Sequence, residues 1–313
     1  MQRFIARRLV FILFTVIGAT LFVFVLTHMA RDPRELWVPQ GGFGASKEQW
    51  EQWGKELGFD KPLIVQYFLW LGRMLRGDLG NTLTHDRPVI GVIAGKLGAT
   101  AQLALGAWLW AIIVGVPFGV LSAVKRASIW DYLARTFALF GQALPAFWVG
   151  ILLIWIFAAM FNLLPSGGRP TGTLSIKHYI LPSVALGWHA AANLLRFTRS
   201  GMLEVLDSEY IKFAKSKGVR GWLVVWKHGL RNAVITPLTS ALVILAGFIT
   251  GNLVVEVVFT WPGLGRLLMD SVWTNDYPIL VGCVLVYVLL FAGMAFIADI
   301  AYAYIDPRIR YQT

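Results

Sequence analysis

Cysteine is almost missing from this chain: Cys283 is the one thiol in 313 residues, and it sits in the apolar run Val281–Leu290. That excludes a disulfide framework and any cysteine-based metal cluster. Charge is scarce as well, at 14% of residues against 57% hydrophobic, with a mean hydropathy of +0.63. A soluble globule of this length cannot hide so much apolar surface. Acids are the rarer sign, 17 against 28 Lys and Arg, which leaves a formal charge of +11. Such an excess suits nucleic acid or the basic inner face of a membrane protein, and its placement along the chain decides between them. Internal repeats, Pro- or Ser-rich linkers and low-complexity tracts are absent. Composition therefore points to an all-α integral membrane protein.

What the chain does have is long apolar runs. A helix of about 18 or more apolar residues crosses roughly 30 Å of hydrocarbon. Six runs qualify: Leu9–Met29, Thr100–Ser122, Phe137–Leu163, Ile180–Phe197, Pro237–Thr260 and Ile279–Tyr302. His189, Asn193 and Arg196 interrupt the fourth, so its helix is expected inside the bundle, shielded from lipid by its neighbours. The first run follows Arg3, Arg7 and Arg8 as a signal peptide would, but its apolar core exceeds the usual 7 to 15 or so residues, and an anchor is expected.

Lysine and arginine resist translocation in short loops, and this sets the orientation. With both termini cytoplasmic, sixteen basic residues fall inside and three in the short outer loops, Arg169, Lys177 and Arg266. The other nine share residues 31–98 with eight acids. The basic excess thus lies on the inner face and needs no nucleic acid. The expected organisation is an anchor over residues 1–30, a folded extracytoplasmic insertion over 31–98, a membrane domain over 99–304 and a cytoplasmic tail over 305–313. Within the insertion, Trp50 and Trp53 mark a helical stretch, and Asp60-Lys61-Pro62 and Gly77-Asp78 mark turns.

Enzyme motifs fail. Gly91-Val92-Ile93-Ala94-Gly95-Lys96-Leu97 has three residues between its glycines where a phosphate loop needs four, and Leu97 where the magnesium-binding hydroxyl belongs. The five histidines form no i, i+4 zinc pair, and no nucleophile elbow is present. A lone bundle histidine such as His189 reads as an interhelical hydrogen-bonder.

The informative stretch is the inner loop after the fourth run. Leu203, Leu206, Tyr210, Phe213, Ala214 and Lys217 recur at helical spacing and predict one apolar stripe. Acids at Glu204, Asp207 and Glu209 precede Lys212, Lys215 and Lys217, which suits the helix dipole, and Gly218 is placed to cap the C-terminus. A second amphipathic run, Trp222–Ile235, carries Trp222, Val225, Trp226 and Leu230 on one side. A pair of helices lying on anionic lipid and a lever presented to a soluble partner are both compatible with this pattern.

Aligned on Gly218, the loop resembles the E-A-A, three residues, G pattern of ATP-binding-cassette importer permeases, with Lys212, Phe213 and Ala214 at the first three positions, so Ala214 and Gly218 match. Other stretches narrow the resemblance to the B-type permease of the dipeptide, oligopeptide and nickel branch. They are Phe59-Asp60-Lys61-Pro62-Leu63 with Gln66-Tyr67, Gly77-Asp78-Leu79-Gly80, Leu144-Pro145-Ala146-Phe147-Trp148, and Leu230-Arg231-Asn232-Ala233. Val255-Glu256-Val257-Val258-Phe259, Trp261-Pro262-Gly263-Leu264-Gly265 and Asp306-Pro307-Arg308-Ile309-Arg310-Tyr311 complete the series. The resemblance implies a type I permease fold: six transmembrane helices, half of a translocation pathway, in the cell inner membrane. It implies a homologous second permease as partner, two cytoplasmic ATP-binding subunits, and an extracytoplasmic binding protein that delivers substrate. ATP and Mg would be bound by the partner ATPases and no cofactor by this chain. The loop from about Leu203 to Trp222 would be the coupling helix, through Leu206, Tyr210, Phe213, Ala214, Lys217 and Gly218. The class held against this is a self-sufficient secondary transporter, whose inverted repeats the chain does not display.

Path candidates come from polar residues in the spans. Asn252 and Glu256 lie four apart in the fifth run, and a carboxylate in a bilayer faces a cavity, a partner or, here, the turn Trp261-Pro262-Gly263. Gln142 precedes Pro145, which is expected to kink the third span and free a carbonyl that Gln142 either satisfies or leaves to line the path. Arg196 and Arg199 are expected to snorkel to inner-leaflet phosphates.

Overall fold

The computed structural model describes residues 2–30, 60–169, 175–250 and 252–305, with four single positions between 46 and 55. Twelve helical elements are described: α1 Gln2–Ala30, α2 Leu63–Leu75, α3 Val89–Val124, α4 Ile129–Ala143, α5 Ala146–Met160, α6 Ile176–Leu206, α7 Glu209–Ser216, α8 Gly221–Ala233, α9 Ile235–Thr250, α10 Leu253–Val258, α11 Leu264–Trp273 and α12 Tyr277–Ile305. The stretches Ile154–Met160 of α5 and Val224–Leu230 of α8 are wound as π-helix. Among the described residues, three helices are long and apolar enough to cross a membrane, within α1, α3 and α12. Two bent pairs, α4 with α5 and α8 with α9, raise the number to five if each pair is one span.

Contacts group the chain into two units, one of Met1–Thr100 with Pro262–Phe296, the other of Ala101–Trp261 with Ile297–Thr313. In the first, α2 packs on α1 through the Thr20 and Tyr67 hydroxyls, 3.0 Å apart, and through Phe24, edge-on to Tyr67. The Gly77–Gly80 turn has both glycines in the left-handed region, φ 79° and 76°, which favours glycine. The loop after it is tied to the start of α12 by the buried Asp276, whose carboxylate accepts the Leu83 and Thr84 N–H groups and the Thr84 hydroxyl. Val89, Ile93, Leu264, Ile279 and Cys283 form a core there.

In the second unit α6 is the hub, packed against α4, α5 and α9. Small residues make the approach close. A Cβ on Gly115 of α3 would lie 2.7 Å from the Ala191 carbonyl oxygen, and one on Gly119 2.7 Å from that of Leu195. This is the small-xxx-small rule: in lipid there is no hydrophobic drive between helices, so backbones must come near enough for dispersion to hold them. Ala190, Ala191 and Leu194 of α6 form a core with Ala111 and Ala241. The expectation that the fourth, polar run lies inside is met within this unit, and its polarity explains why α6, at 31 residues, is not among the helices apolar enough to cross unaided.

Element ends differ from the apolar runs. The second run opens at Val89, not Thr100, because the phosphate-loop look-alike Gly91–Leu97 is wound into α3 and forms no loop at all. The third run is not one rod: at Leu144-Pro145 the axis turns by 110°, far more than a proline kink. The fifth run divides into α9 and α10. Trp50, Trp53, Phe59, Gly251 and the 306–311 ending lie outside the described residues.

Candidate functional site

The predicted stripe from Leu203 to Lys217 is split. Helix α6 stops at Leu206, and Asp207-Ser208 turns the chain before α7 starts at Glu209. The Ser208 backbone is extended, and its hydroxyl donates back to the Val205 carbonyl. Short side chains that bond the nearby backbone favour such a corner over a continuing helix. The stripe then has two fates. Leu203 and Leu206 pack with Val225 and Leu230 around buried Met202 and Ala233. Tyr210 and Phe213, 43% and 60% exposed, face out. Ile211, which the sequence reading passed over, is the residue that α7 buries.

Helix α7 ends in a Schellman motif. Gly218 N–H donates to the Lys215 carbonyl and Val219 N–H to that of Ala214, with Gly218 at φ +74°. A Cβ on Gly218 would meet nothing within 4 Å, so the position needs glycine for its backbone and not for space. Glu209 sits in the first turn and Lys215 in the last, as the dipole favours. The Lys217 ammonium lies 4.4 Å from the centre of the Phe213 ring, and Asn232 donates to the Tyr210 hydroxyl at 3.0 Å. Ala214 is half-buried, and Lys217 and Gly218 are exposed. Of the six predicted coupling residues, Tyr210, Phe213, Lys217 and Gly218 thus share one open surface, while Leu206 belongs to the packing beneath it.

Arg199 finds a protein partner in place of the inner-leaflet phosphate expected for it, while Arg196 stays exposed. Arg199 makes a bidentate ion pair with Asp131, Nε to Oδ1 at 2.9 Å and Nη2 to Oδ2 at 3.1 Å, with Ser122 donating to Oδ1 at 2.6 Å. The Ala127 N–H donates to Oδ2 at 3.0 Å, which holds Ala127 in a left-handed turn, φ 59°. One carboxylate therefore locks the α3–α4 corner to α6. Arg196 donates to Gln142 Oε1 at 3.1 Å. No local spacing announced the Asp131–Arg199 pair; only Arg135, four residues on and 3.6 Å away, was legible as a partner.

Pro145 lacks the N–H that would bond the Gly141 carbonyl. His189 Nδ1 donates to that oxygen across 3.2 Å, so the interhelical role expected of His189 is observed and Gln142 is not the group that satisfies the carbonyl. Asn252 stands just before α10, 2% exposed, and neither its amide nitrogen nor its oxygen has a hydrogen-bond partner. Glu256 is fully buried one turn on, and its backbone carbonyl accepts the Trp261 N–H at 2.7 Å, closing the turn the sequence placed there. Gln142, by contrast, is exposed and bonded to Arg196.

Several apolar helices with a polar hub helix among them define a multi-pass membrane protein that also carries an outward aromatic surface on a short capped helix. Its sequence matches the description "Binding-protein-dependent transport system inner membrane component" over residues 115–311, and the corresponding N-terminal component over residues 1–104. The chain belongs to this family: it is a multi-pass inner-membrane protein and the permease subunit of an ATP-binding-cassette importer, working with that importer's other components. That decides against the secondary-transporter class. It is 40% identical over 314 residues to the glutathione transport system permease protein GsiC of Pectobacterium atrosepticum, covering 100% of both chains. It is 37% identical to the oligopeptide transport system permease protein AppB of Bacillus subtilis, covering 99% of this chain and 100% of that one. In fold it is similar to a chain of the MetNI methionine ABC transporter in an inward facing conformation, with TM-score 0.56 and 18% identity over 69% of this chain and 97% of the other.

Proposed function

We propose that this chain forms half of a translocation pathway for peptides or a related small solute, in the manner of an importer fed by an extracytoplasmic binding protein. It pairs with a homologous second permease and seats α7 in a groove on one of two cytoplasmic ATPases. ATP and Mg are bound there, and this chain hydrolyses nothing. Six crossings with both termini inside follow if α1, α3, the α4–α5 pair, α6, α9 and α12 each span. The insertion over 31–98 then lies outside and the coupling loop over about 203–222 inside. The peptide class rests on the names of the glutathione and oligopeptide relatives.

The observation that carries this reading is α7 itself: Tyr210 and Phe213 exposed on a short helix closed at Gly218, in a chain of this family. Nucleotide drives transport only by favouring one conformation over another, so the docking helix must transmit movement stiffly. The buried Ile211 and the Schellman closure give α7 that stiffness. Beyond α7, Asn252 and Glu256 are the path residues: an unpartnered buried amide beside a buried carboxylate, where the fifth run breaks. Gln142 is the third path candidate, held by Arg196.

Replacing Gly218 with Leu is expected to leave the permease inserted in the membrane and to abolish ATP-dependent uptake. Uptake by wild-type chain in membranes devoid of any cassette ATPase would refute the coupling role. The solute is identified by what co-purifies with the binding protein.

A further inference from the structure

We propose that a cavity of about 660 Å³ in the second unit is a site for one anionic phospholipid. The last turns of α3, the end of α6, Lys215 of α7 and the start of α8 line this open cavity, with Pro117, Leu121, Leu203 and Leu206 among its apolar walls. Helix α3 is one of the helices apolar enough to cross the bilayer, and the cations Lys125 and Arg126 directly after it would place its final turns near the headgroups. Trp222 and Trp226, both well exposed, line the same cavity. Tryptophan prefers that interfacial depth because its ring is apolar and its N–H is not.

Charge selects the occupant. Arg126 and Lys215 line the cavity with one acid, Asp207. Neither cation has an ion pair among the described residues, whereas Arg199 and Arg135 are drawn to Asp131. A lipid phosphate supplies the missing anion, and Arg can bind it in bidentate fashion. A zwitterionic headgroup would bring its own cation toward these two, which disfavours it. The exposed aromatics of α7, Tyr210 and Phe213, are not part of the lining, although Lys215 of the same helix is, so the cavity adjoins the proposed ATPase surface without using its aromatic residues. A lipid seated here would touch the elements on both sides of α7 and make the lever's stiffness depend on membrane composition.

The test is native mass spectrometry of the purified importer, this chain with its companion subunits, titrated with phosphatidylglycerol, phosphatidylcholine or inorganic phosphate. Wild type is expected to retain phosphatidylglycerol, not phosphatidylcholine, and free phosphate is not expected to displace it. Arg126→Ala with Lys215→Ala removes two surface cations and is expected to weaken retention roughly thirtyfold. Trp222→Ala with Trp226→Ala is expected to weaken it without either cation being touched. Assembly of each variant with the ATPases is read from the same spectra. Equal retention by the cation variant, equal retention of the two lipids, or displacement by phosphate alone would overturn the site. Phosphatidylglycerol held by the permease but expelled when the ATPases assemble would give the cavity to a protein partner instead.

Discussion

Helices α6 and α7 are joined by Asp207 and Ser208 alone, yet they treat one apolar stripe in opposite ways. Along α6 the stripe, Leu203 and Leu206, is half-buried against Val120, Ala123, Met202 and Ala233, and even the helix's Arg199 is neutralised by a buried acid. Along α7 the stripe turns outward and only Ile211 is covered. Burial explains the first as stability. It does not explain the second, since exposed aromatics on a short helix bury little, and the contacts of Tyr210 with Asn232 and of Phe213 with Lys217 are worth little at the surface. The difference teaches that the same helical period encodes a core on one side of a two-residue corner and a contact surface on the other.

The comparison can be broken most forcefully at Asp131. Asp131→Ala strands Arg199 beside a buried void and is expected to cost about 3 to 5 kcal/mol, read as a large fall in the thermal midpoint of the purified complex. A fall no larger than that of an exposed substitution would mean that α6 is not anchored there. Ile211→Ala removes the one apolar side chain holding α7 down, and a loss of about 2 to 4 kcal/mol, confined to local protease protection around α7, is expected. Gly218→Ala forces a Cβ into a left-handed turn at about 1 to 2 kcal/mol, whereas Gly218→Asn should retain more coupling, because Asn tolerates that backbone. If Asn and Ala behave alike, the need for glycine is a partner's and not the backbone's. Phe213→Ala sharpens the contrast at the small end: stability is expected to change by less than about 0.5 kcal/mol while ATP-driven uptake falls, the signature of a surface residue used by something else.

Much of this was legible in residues. The polar interruptions His189, Asn193 and Arg196 told that α6 is interior, and Gly218 told where α7 stops. Pro145 announced a break but not its 110° size, because a missing N–H removes one hydrogen bond while neighbours set the angle. The stripe was read as continuous because spacing alone cannot see Ser208 bonding backward to Val205. At the path, Asn252 and Glu256 were visible as polar residues in an apolar run; that Asn252 is left without a partner was not.

The sequence by itself determined the medium, the apolar lengths and the faces of the helices, since these follow from composition and from the 3.6-residue period, which act between near neighbours. Only the tertiary structure decided which faces close on each other. Asp131 finds Arg199 at 2.9 Å across a separation of 68 residues, and His189 finds the Gly141 carbonyl across 48. No local spacing encodes such pairs, because they arise when close-packed glycines bring distant backbones together and most buried polar groups then take whatever partner is within reach.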